Sequence, residues 1–276
     1  CSTMTNQRRI AVAIAVVAAF TLLSAALVPM EAESRPANQI PIEEVSDGTT
    51  YESPTASEWD DVSDVTVPMT AAPSGLPDAA DTSVDQATVR VVHDEDRVYA
   101  RVAWDDATVD DEITDSRTFA DGVALQFPTN TSERPAIAMG SSRSTVNVWY
   151  WDAAEGTEEL LAGGQGSTTA FEDPMVETSV EHQDGRWQVV FTRSLTADSP
   201  DRTSIEMDSN VDVAVAAWNG SNMERAGHKS TTEWYHLPFG PGPSGTPFES
   251  ILWGIAGIAV VIVIAVTVMA VRGQGE

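Results

Sequence analysis

The sequence of 276 residues predicts an all-β fold, an antiparallel β-sandwich domain with a flanking transmembrane helix or helices. Three observations lead to this prediction. Apolar and polar residues alternate in short runs through the middle of the chain, which is the period of a half-buried strand. No window between residues 53 and 237 sustains an apolar stripe of helical period over three turns. Two long uncharged stretches, at residues 10–28 and 251–271, bracket this region.

The clearest strand signal is at residues 87–104, where ATVRVVHDEDRVYARVAW alternates on both sides of HDED. This pattern predicts a hairpin with a tight acidic turn. Further strands are predicted in runs rich in Val, Trp, Tyr and Phe that Gly, Asp and Pro separate. These runs are residues 121–127, 144–151, 176–182, 185–195 and 210–218. Because such strands bury one face each, a sandwich of two sheets is the natural arrangement.

The two apolar stretches are 19 and 21 residues long, about enough to cross a hydrocarbon core of roughly 30 Å as helices. Residues 251–272 are predicted to be a C-terminal transmembrane helix. Residues 1–30 are predicted to be a signal sequence or an N-terminal membrane anchor, and the sequence leaves both open. The positive-inside rule puts Arg8, Arg9 and Arg272 in the cytoplasm. The main domain is therefore expected on the extracellular side of the cell membrane.

Composition divides the chain between these stretches into three parts. Residues 31–52 are polar and are predicted to be a linker. Residues 53–237 are the predicted β-sandwich domain, which is long enough for a single core. Residues 238–250 are rich in proline and glycine and are predicted to be a semi-rigid tether before the membrane helix.

The charge and cysteine content exclude several classes of function. The chain has 42 acidic and 15 basic residues, a net charge of −27 and a pI near 4.2, so it lacks the basic surface that nucleic acid requires. This dispersed acidity is typical of proteins from extreme halophiles. Cys1 is the only cysteine, which excludes disulfides, thiolate zinc sites, protein-ligated iron–sulfur clusters and covalently attached c-type haem in the domain. Any metal must be held by nitrogen, oxygen or thioether groups.

Lys229 is the only lysine in the chain, and it follows VAVAAWNGSNMERAGH. One interpretation is a surface charge without a special role. In the other, the lysine ends a loop between two core strands, where burial would lower its pKa. A neutral amine can bind a metal, whereas an arginine guanidinium stays protonated. An exposed lysine has a pKa near 10.4, about 3.4 units above pH 7. Binding of the amine to a metal at pH 7 must therefore supply the cost of removing its proton, roughly 4.6 kcal/mol.

Met139 and Gly140 form a second candidate element. They lie in a loop before a strand that ends in Trp149, Tyr150 and Trp151. On residue types alone, a core methionine beside core aromatic residues is one interpretation. Glycine, however, lets a flat ligand approach closely, and a thioether is a soft, neutral ligand that suits haem iron.

Several segments together resemble the haem b subunit of the type II dimethyl-sulfoxide-reductase group, which includes ethylbenzene dehydrogenase, dimethyl sulfide dehydrogenase, selenate reductase and chlorate reductase. In chain order these segments are ALQFP, AIAMG, VNVWYWDA, GRWQVVFTRSL and VAVAAWNGSNMERAGHKSTTEWYHL, and the resemblance extends over about residues 59–237. It implies a β-sandwich that holds haem b between the axial ligands Met139 and Lys229. The other cofactor-binding residues that we predict are Gly140, Trp149, Trp151 and Trp218.

The resemblance also implies a function. An iron with both axial positions filled by protein has no open site for substrate, so the chain would transfer electrons and would not itself be the catalyst. The implied partners are a molybdenum catalytic subunit, an iron–sulfur subunit and a membrane or soluble redox carrier, at a membrane and without nucleic acid. By analogy, respiratory reduction of nitrate or chlorate is favoured over hydrocarbon oxidation. The C-terminal anchor, and Asp152 where the family commonly has a basic residue, depart from the family pattern.

Alternatives remain open from the sequence. His228 and His236 flank the lysine motif and are rival axial ligands. A β-sandwich with eight tryptophans is also compatible with an extracellular carbohydrate- or ligand-binding module without redox activity, or with a structural envelope protein. Paired aspartates indicate a calcium site, and two Asn-x-Ser/Thr sequences indicate glycosylation. The residues concerned are Asp60, Asp61, Asp105 and Asp106 for calcium, and Asn130 and Asn219 for glycans.

Overall fold

A computed structural model describes residues 38–239, which form two facing β-sheets. The strands are β1 (Ile42–Glu44), β2 (Val65–Pro68), β3 (Thr70–Ala71), β4 (Gln86–His93), β5 (Arg97–Asp105), β6 (Gly122–Pro128), β7 (Val146–Asp152), β8 (Gly156–Ala162), β9 (Thr168–Ala170), β10 (Glu177–Gln183), β11 (Arg186–Ser194), β12 (Asn210–Trp218), β13 (Ser230–Thr231) and β14 (Tyr235–Pro238). Short 3-10 helices lie at Thr49–Glu52, Ser57–Asp61 and Gly220–Asn222. The predicted sandwich is therefore confirmed.

The first sheet has six strands in the order β1-β4-β5-β11-β10, with β2 paired to β4. The predicted acidic hairpin is β4 and β5, whose register runs from Thr88 opposite Ala103 to His93 opposite Val98. Asp94 closes the turn, because its carboxylate accepts hydrogen bonds from the backbone N–H groups of Asp96 and Arg97. These bonds lower the pKa of Asp94 against the opposing effect of its burial.

The second sheet has eight strands in the order β3-β13-β12-β6-β7-β8-β9, with β14 paired to β12. Its pairings are all antiparallel. At its centre, β6 is buried along its whole length. A strand that is buried on both faces needs a cover on each side of the sheet. The first sheet covers one face, and loops cover the other.

The core between the sheets follows the two-residue alternation of the strands. On β12, Val211, Val213, Val215 and Ala217 belong to this core, while Ala214, Ala216 and Trp218 pack in a second cluster on the opposite face. On β7, Trp149 and Trp151 lie in the core, and Val146, Val148 and Tyr150 lie on the loop-covered face. Successive side chains of a strand point to opposite faces, so both faces of the second sheet are apolar here.

Two boundary predictions need correction. The segment predicted as a linker from residue 31 to 52 is part of the fold from Asn38 onward, because β1 pairs with β4 and Ile40 is buried in the core. The β1–β4 pairing is also parallel, so the first sheet is not wholly antiparallel. At the other end, Phe239 packs in the core, which extends the domain two residues past the predicted limit of 237.

The predicted membrane segments, at residues 1–30 and 251–272, lie outside the described residues, as do most of the tether and residues 31–37 of the linker. Among residues 38–239, no helix is long and apolar enough to span a membrane.

Candidate functional site

A cavity of about 690 Å³ lies on the loop-covered face of the second sheet, within the range of about 300–1,000 Å³ that holds cofactors and other small ligands. Its floor includes Ala124 of β6 and Ala214 and Ala216 of β12. These small side chains leave room above the sheet where larger ones would fill it. Loops at residues 72–76, 113–120, 137–139 and 224–227 supply much of the remaining wall.

Lys229 lies in the cavity wall, where neighbouring strands hold its backbone. It immediately precedes β13, whose Ser230 and Thr231 pair with β12 on one side and with β3 on the other. The carbonyl oxygen of Lys229 accepts a hydrogen bond of 2.8 Å from the N–H of Ala72. Pairing on both sides therefore fixes where the lysine side chain leaves the backbone.

The Lys229 amine is buried without an anionic partner. The residue is 8% exposed, and among the described residues its Nζ atom makes no hydrogen bond or ion pair. Burial lowers its pKa from 10.5 to about 8, because an apolar environment disfavours the charged form. This shift removes roughly 3 kcal/mol from the cost of presenting a neutral amine at pH 7.

The aromatic neighbours of Lys229 come from β12 and β7. The Nζ atom lies 4.6 Å from the ring centroid of Trp218, and Trp218 meets Tyr150 edge to face at 5.4 Å between centroids. The Trp218 indole N–H donates to the carbonyl oxygen of Ala226 at 3.2 Å, which fixes the ring against the loop that leads to the lysine. Burial, and then the neighbouring Asp152, raise the pKa of Tyr150 well above its ordinary value.

Met139 lines the same cavity from a tightly turned loop. Its backbone is left-handed, with φ of 64°, and Gly140 follows with φ of 71°. A Cβ at Gly140 would lie 2.6 Å from the carbonyl oxygen of Ser144, closer than real Cβ contacts allow. The Gln126 amide donates to the carbonyl of Ile137 at 2.9 Å, and the Trp234 indole N–H donates to that of Pro135 at 3.1 Å. These bonds fasten the methionine loop to the sheet.

Buried carboxylates hold the loop between β12 and Lys229. Glu224 is 1% exposed and accepts hydrogen bonds from the N–H and hydroxyl of Ser83, the N–H of Asn219 and the amide of Asn222. Asp121 is fully buried and accepts from the N–H of Gly220 at 2.9 Å. Burial raises the pKa of Asp121 to about 6. Neither carboxylate belongs to a sequence motif that predicts its role.

The histidines are oriented away from the cavity. His228 precedes Lys229, but its Nε2 atom lies 2.6 Å from the carbonyl oxygen of Asp81, and neither His228 nor His236 lines the cavity. His93 and His182 also place a ring nitrogen within 3.0 Å of a backbone carbonyl oxygen. The geometry therefore favours Lys229 over the neighbouring histidines as a ligand facing the cavity.

The predicted cofactor-binding tryptophans divide between the two faces of the second sheet. Met139, Lys229 and Trp218 line the cavity, and Gly140 supports the methionine loop. Trp149 and Trp151 lie in the core between the sheets, where Trp149 contacts Phe127 and Trp151 contacts Trp187. Tyr150, between them in sequence, is the aromatic residue of β7 that lines the cavity. The alternation of side chains along a strand predicts that Tyr150 takes the opposite face from Trp149 and Trp151.

The tryptophans of the described residues do not form a sugar-binding surface. Each of them is at most 9% exposed: Trp59, Trp104, Trp149, Trp151, Trp187, Trp218 and Trp234. The carbohydrate-binding alternative requires exposed ring faces for stacking, and among these residues only Trp218 lines the cavity. The Lys229 amine lies over that ring.

The paired aspartates do not converge on a metal site. Within residues 38–239, no group of three or more His, Cys, Asp or Glu side chains is arranged to hold a metal ion. Asp105 is 3.4 Å from Arg186 in an exposed ion pair, and Asp106 accepts from the N–H and hydroxyl of Thr108. Of the two glycosylation sequences, Asn130 is exposed, whereas Asn219 is buried at the start of the lysine loop.

The cavity is lined by an amine, from Lys229, and a soft thioether, from Met139, among apolar and aromatic walls. The amine is buried, unpaired and of lowered pKa. The thioether, and the amine once it has lost its proton, are neutral ligands of the kind that bind a transition metal such as haem iron. The residues present therefore fit a haem, which Met139 and Lys229 would hold through its iron.

Comparison with known proteins gives the family of the chain. Residues 56–173 and 169–230 match the family model described as ethylbenzene dehydrogenase. A protein of Haloferax mediterranei, whose name describes a candidate heme subunit of a respiratory nitrate reductase, is 49% identical over 270 residues and 98% of each chain. The chlorate reductase subunit gamma of Ideonella dechloratans is 32% identical over 190 residues, covering 68% of this chain and 79% of that protein.

A solved structure with a related outline is a family 9 carbohydrate-binding module from Caldicellulosiruptor kristjanssonii in complex with glucose. It is 12% identical, with a TM-score of 0.41, and the alignment covers 76% of this chain and 100% of the module. The family model spans more than half of the chain, and the relative from Haloferax mediterranei matches 98% of it. The chain belongs to the ethylbenzene dehydrogenase family.

Proposed function

We propose that this chain is the haem-carrying electron-transfer subunit of a respiratory oxyanion reductase, and that it holds haem b in the cavity between Met139 and Lys229. One observation carries the proposal. A buried amine without a counter-ion and a thioether line the same apolar cavity of about 690 Å³. An unpaired buried amine is costly to maintain, and binding to a metal is a direct way to offset that cost.

The relatives support the oxyanion reductase. One is named for a respiratory nitrate reductase and the other for chlorate reductase, and the first is 49% identical over nearly the whole chain. Nitrate and chlorate are both small oxyanions, so we infer reduction of such an oxyanion by the complex to which this chain contributes.

Met139 and Lys229 would hold the haem iron, with Tyr150 and Trp218 against the haem. The bound haem supplies a reversible one-electron couple at its iron. A thioether ligand raises that reduction potential, and an apolar cavity disfavours the more highly charged state. With a single cysteine in the chain, at position 1, the haem would be held without covalent attachment, which is why we propose type b.

Substrate reduction would take place on another subunit, because two protein ligands leave no open position at the iron. We propose a molybdenum catalytic subunit and an iron–sulfur subunit as partners, with a membrane or soluble redox carrier at the other end of the electron path. The apolar segment at residues 251–271 would attach the chain to the cell membrane, with the sandwich domain on the extracellular side.

The experiment that tests the proposal is purification of the full-length chain from haem-replete cells, followed by optical spectroscopy. We expect a red protein with a low-spin b-type spectrum. Met139→Ala and Lys229→Ala should each shift the spectrum and the midpoint potential, while Arg143→Ala, an exposed change in the same loop as Met139, should shift neither. A colourless, fully folded protein from such cells would refute the haem proposal.

A further inference from the structure

The charged residues around the cavity are few, and they differ in whether they are already paired. Asp152, Glu224, Arg225 and Lys229 are the charged side chains among the described residues that line it. Glu224 accepts four hydrogen bonds, as described above, and Asp152 accepts from the N–H groups of Ala154 and Glu155. Lys229 faces the interior. Arg225 remains as the cation at the solvent-exposed margin.

The Arg225 guanidinium has unused hydrogen-bonding capacity. Within residues 38–239 it forms no ion pair, and its one hydrogen bond runs from Nη1 to the carbonyl oxygen of Met223 at 2.8 Å. A guanidinium has five N–H donors in a planar fork that matches a carboxylate. Most of these donors are therefore free to bind an anion at the cavity mouth.

Phe119 restricts the orientation of this guanidinium. The Cζ atom of Arg225 lies 4.7 Å from the centroid of the Phe119 ring, and both residues line the cavity. Stacking on an aromatic face occupies one side of the guanidinium plane and leaves its N–H edges available. The side chain is thus oriented for a ligand before the ligand arrives.

The net negative charge of the chain makes a local cation such as Arg225 important for binding an anionic ligand. The chain carries a net charge of −27, so an anionic ligand meets a repulsive field unless a local cation offsets it. The two acidic groups in the wall add to that repulsion. Among the described lining residues, a carboxylate-bearing ligand would find a free, correctly shaped partner only in Arg225.

We infer that Arg225 binds a carboxylate group of the cavity's ligand at its solvent-exposed margin and so fixes the orientation of that ligand in the cavity. This inference rests on the proposed function, in which the ligand is haem with its two propionate groups. The propionate edge then lies toward Arg225 and Phe119, and the apolar edge lies deeper against the second sheet. Arg225 is a positioning residue, because it contacts the periphery of the cofactor and not the iron.

The test compares haem with haem dimethyl ester, in which both propionate carboxylates are esterified. Full-length chain freed of haem is titrated with each, and the two dissociation constants are measured from the absorbance change. We expect the wild-type chain to prefer haem over the ester by about fivefold, the effect of an exposed charge pair of about 1 kcal/mol. In Arg225→Gln the preference for haem over the ester should fall about fivefold, while both ligands still bind.

Arg143→Gln is the matched control, since Arg143 is exposed, lies in the Met139 loop and does not line the cavity. It makes the same charge change and should keep the wild-type preference. Retention of the full preference by Arg225→Gln would overturn the inference. So would an equal loss of affinity for haem and for the ester in Arg225→Gln, because only haem carries carboxylates. If the wild-type chain binds neither ligand, the proposed function itself fails, and the two failures are thereby distinguished.

Discussion

The Nζ atom of Lys229 lies 4.6 Å from the ring centroid of Trp218 and, within the part of the chain that the structure describes, has no other polar contact. A charged ammonium gains a modest attraction from the indole face. That attraction does not replace the water lost on burial, because the pKa of the amine still falls to about 8. The pKa of the amine therefore lies much closer to neutral pH than that of an exposed lysine, and Lys229 lines the cavity.

Replacing this amine by a group that cannot lose its proton gives a direct test of its role. Lys229→Arg keeps a positive charge, but a guanidinium remains protonated and cannot bind iron as a neutral nitrogen ligand. We expect the low-spin spectrum to be lost and haem affinity to fall by about tenfold or more, equal to at least 1.4 kcal/mol. Optical spectra and haem titration measure both effects. An unchanged spectrum would instead make His228 or His236 the ligand to examine.

Haem affinity should depend on pH through the same amine. Iron binds the neutral form, and the pKa of Lys229 in the folded chain is about 8. Below about pH 8 a proton must leave on binding, so affinity should fall about tenfold for each pH unit below that value and level off above it. Titrations between pH 6 and pH 9 on the wild-type chain and on Lys229→Ala measure this. A slope that persists in Lys229→Ala would assign the proton to another group.

The free energy of unfolding of the haem-free chain should also depend on pH, because the pKa of Lys229 differs between the folded and the unfolded chain. The folded pKa of Lys229 is about 8 and its ordinary value is 10.5, so between these pH values the unfolded chain holds a proton that the folded chain has released. The free energy of unfolding should therefore rise with pH across this window, by up to about 3 kcal/mol. Denaturant unfolding at pH 8 and pH 10 should show the rise in wild type, and Lys229→Ala should lack this contribution.

The sequence pattern predicted the strands that alternate over long runs, and the family resemblance implied one site for Met139 and Lys229, which both line the cavity. The pattern missed strands whose identity depends on distant partners. β3 has only two residues, Thr70 and Ala71, and it is defined by its pairing with β13. A two-residue segment has no periodicity of its own, so only the tertiary pairing defines it.

The aromatic residues of β7 show a second limit. Alternation establishes that Trp149 and Trp151 share one face and that Tyr150 takes the other. It does not say which face meets the first sheet, because both faces of the second sheet are buried. Hydrophobicity cannot decide between two apolar environments. Trp149 also has buried polar partners, which include Asn147 and Arg193. The sequence does not predict these contacts, because they form only when the two sheets pack together.

Asn147 should matter for stability and not for the haem site. It is fully buried between the sheets, where its amide donates to Glu159 and its carbonyl oxygen accepts from Trp149 and Arg193. Asn147→Ala would leave these buried groups without partners, at a cost of about 2–4 kcal/mol in the free energy of unfolding. The haem spectrum should not change, because Asn147 faces away from the cavity. Asn210→Ala, at an exposed strand end, should cost under about 0.5 kcal/mol.

Gly140 and Gly156 offer a matched pair that separates backbone strain from a steric clash. Both have positive φ, 71° and 89°, so alanine is disfavoured at each by about 1 kcal/mol. An added Cβ at Gly156 would meet nothing within 4 Å, whereas one at Gly140 would lie 2.6 Å from the Ser144 carbonyl oxygen. Gly140→Ala must therefore displace the loop that carries Met139. We expect it to cost at least about 1 kcal/mol more than Gly156→Ala and to shift the haem spectrum, which Gly156→Ala should leave unchanged. Equal stability losses with identical spectra would show that the close packing of the methionine loop is not needed to present its thioether to the cavity.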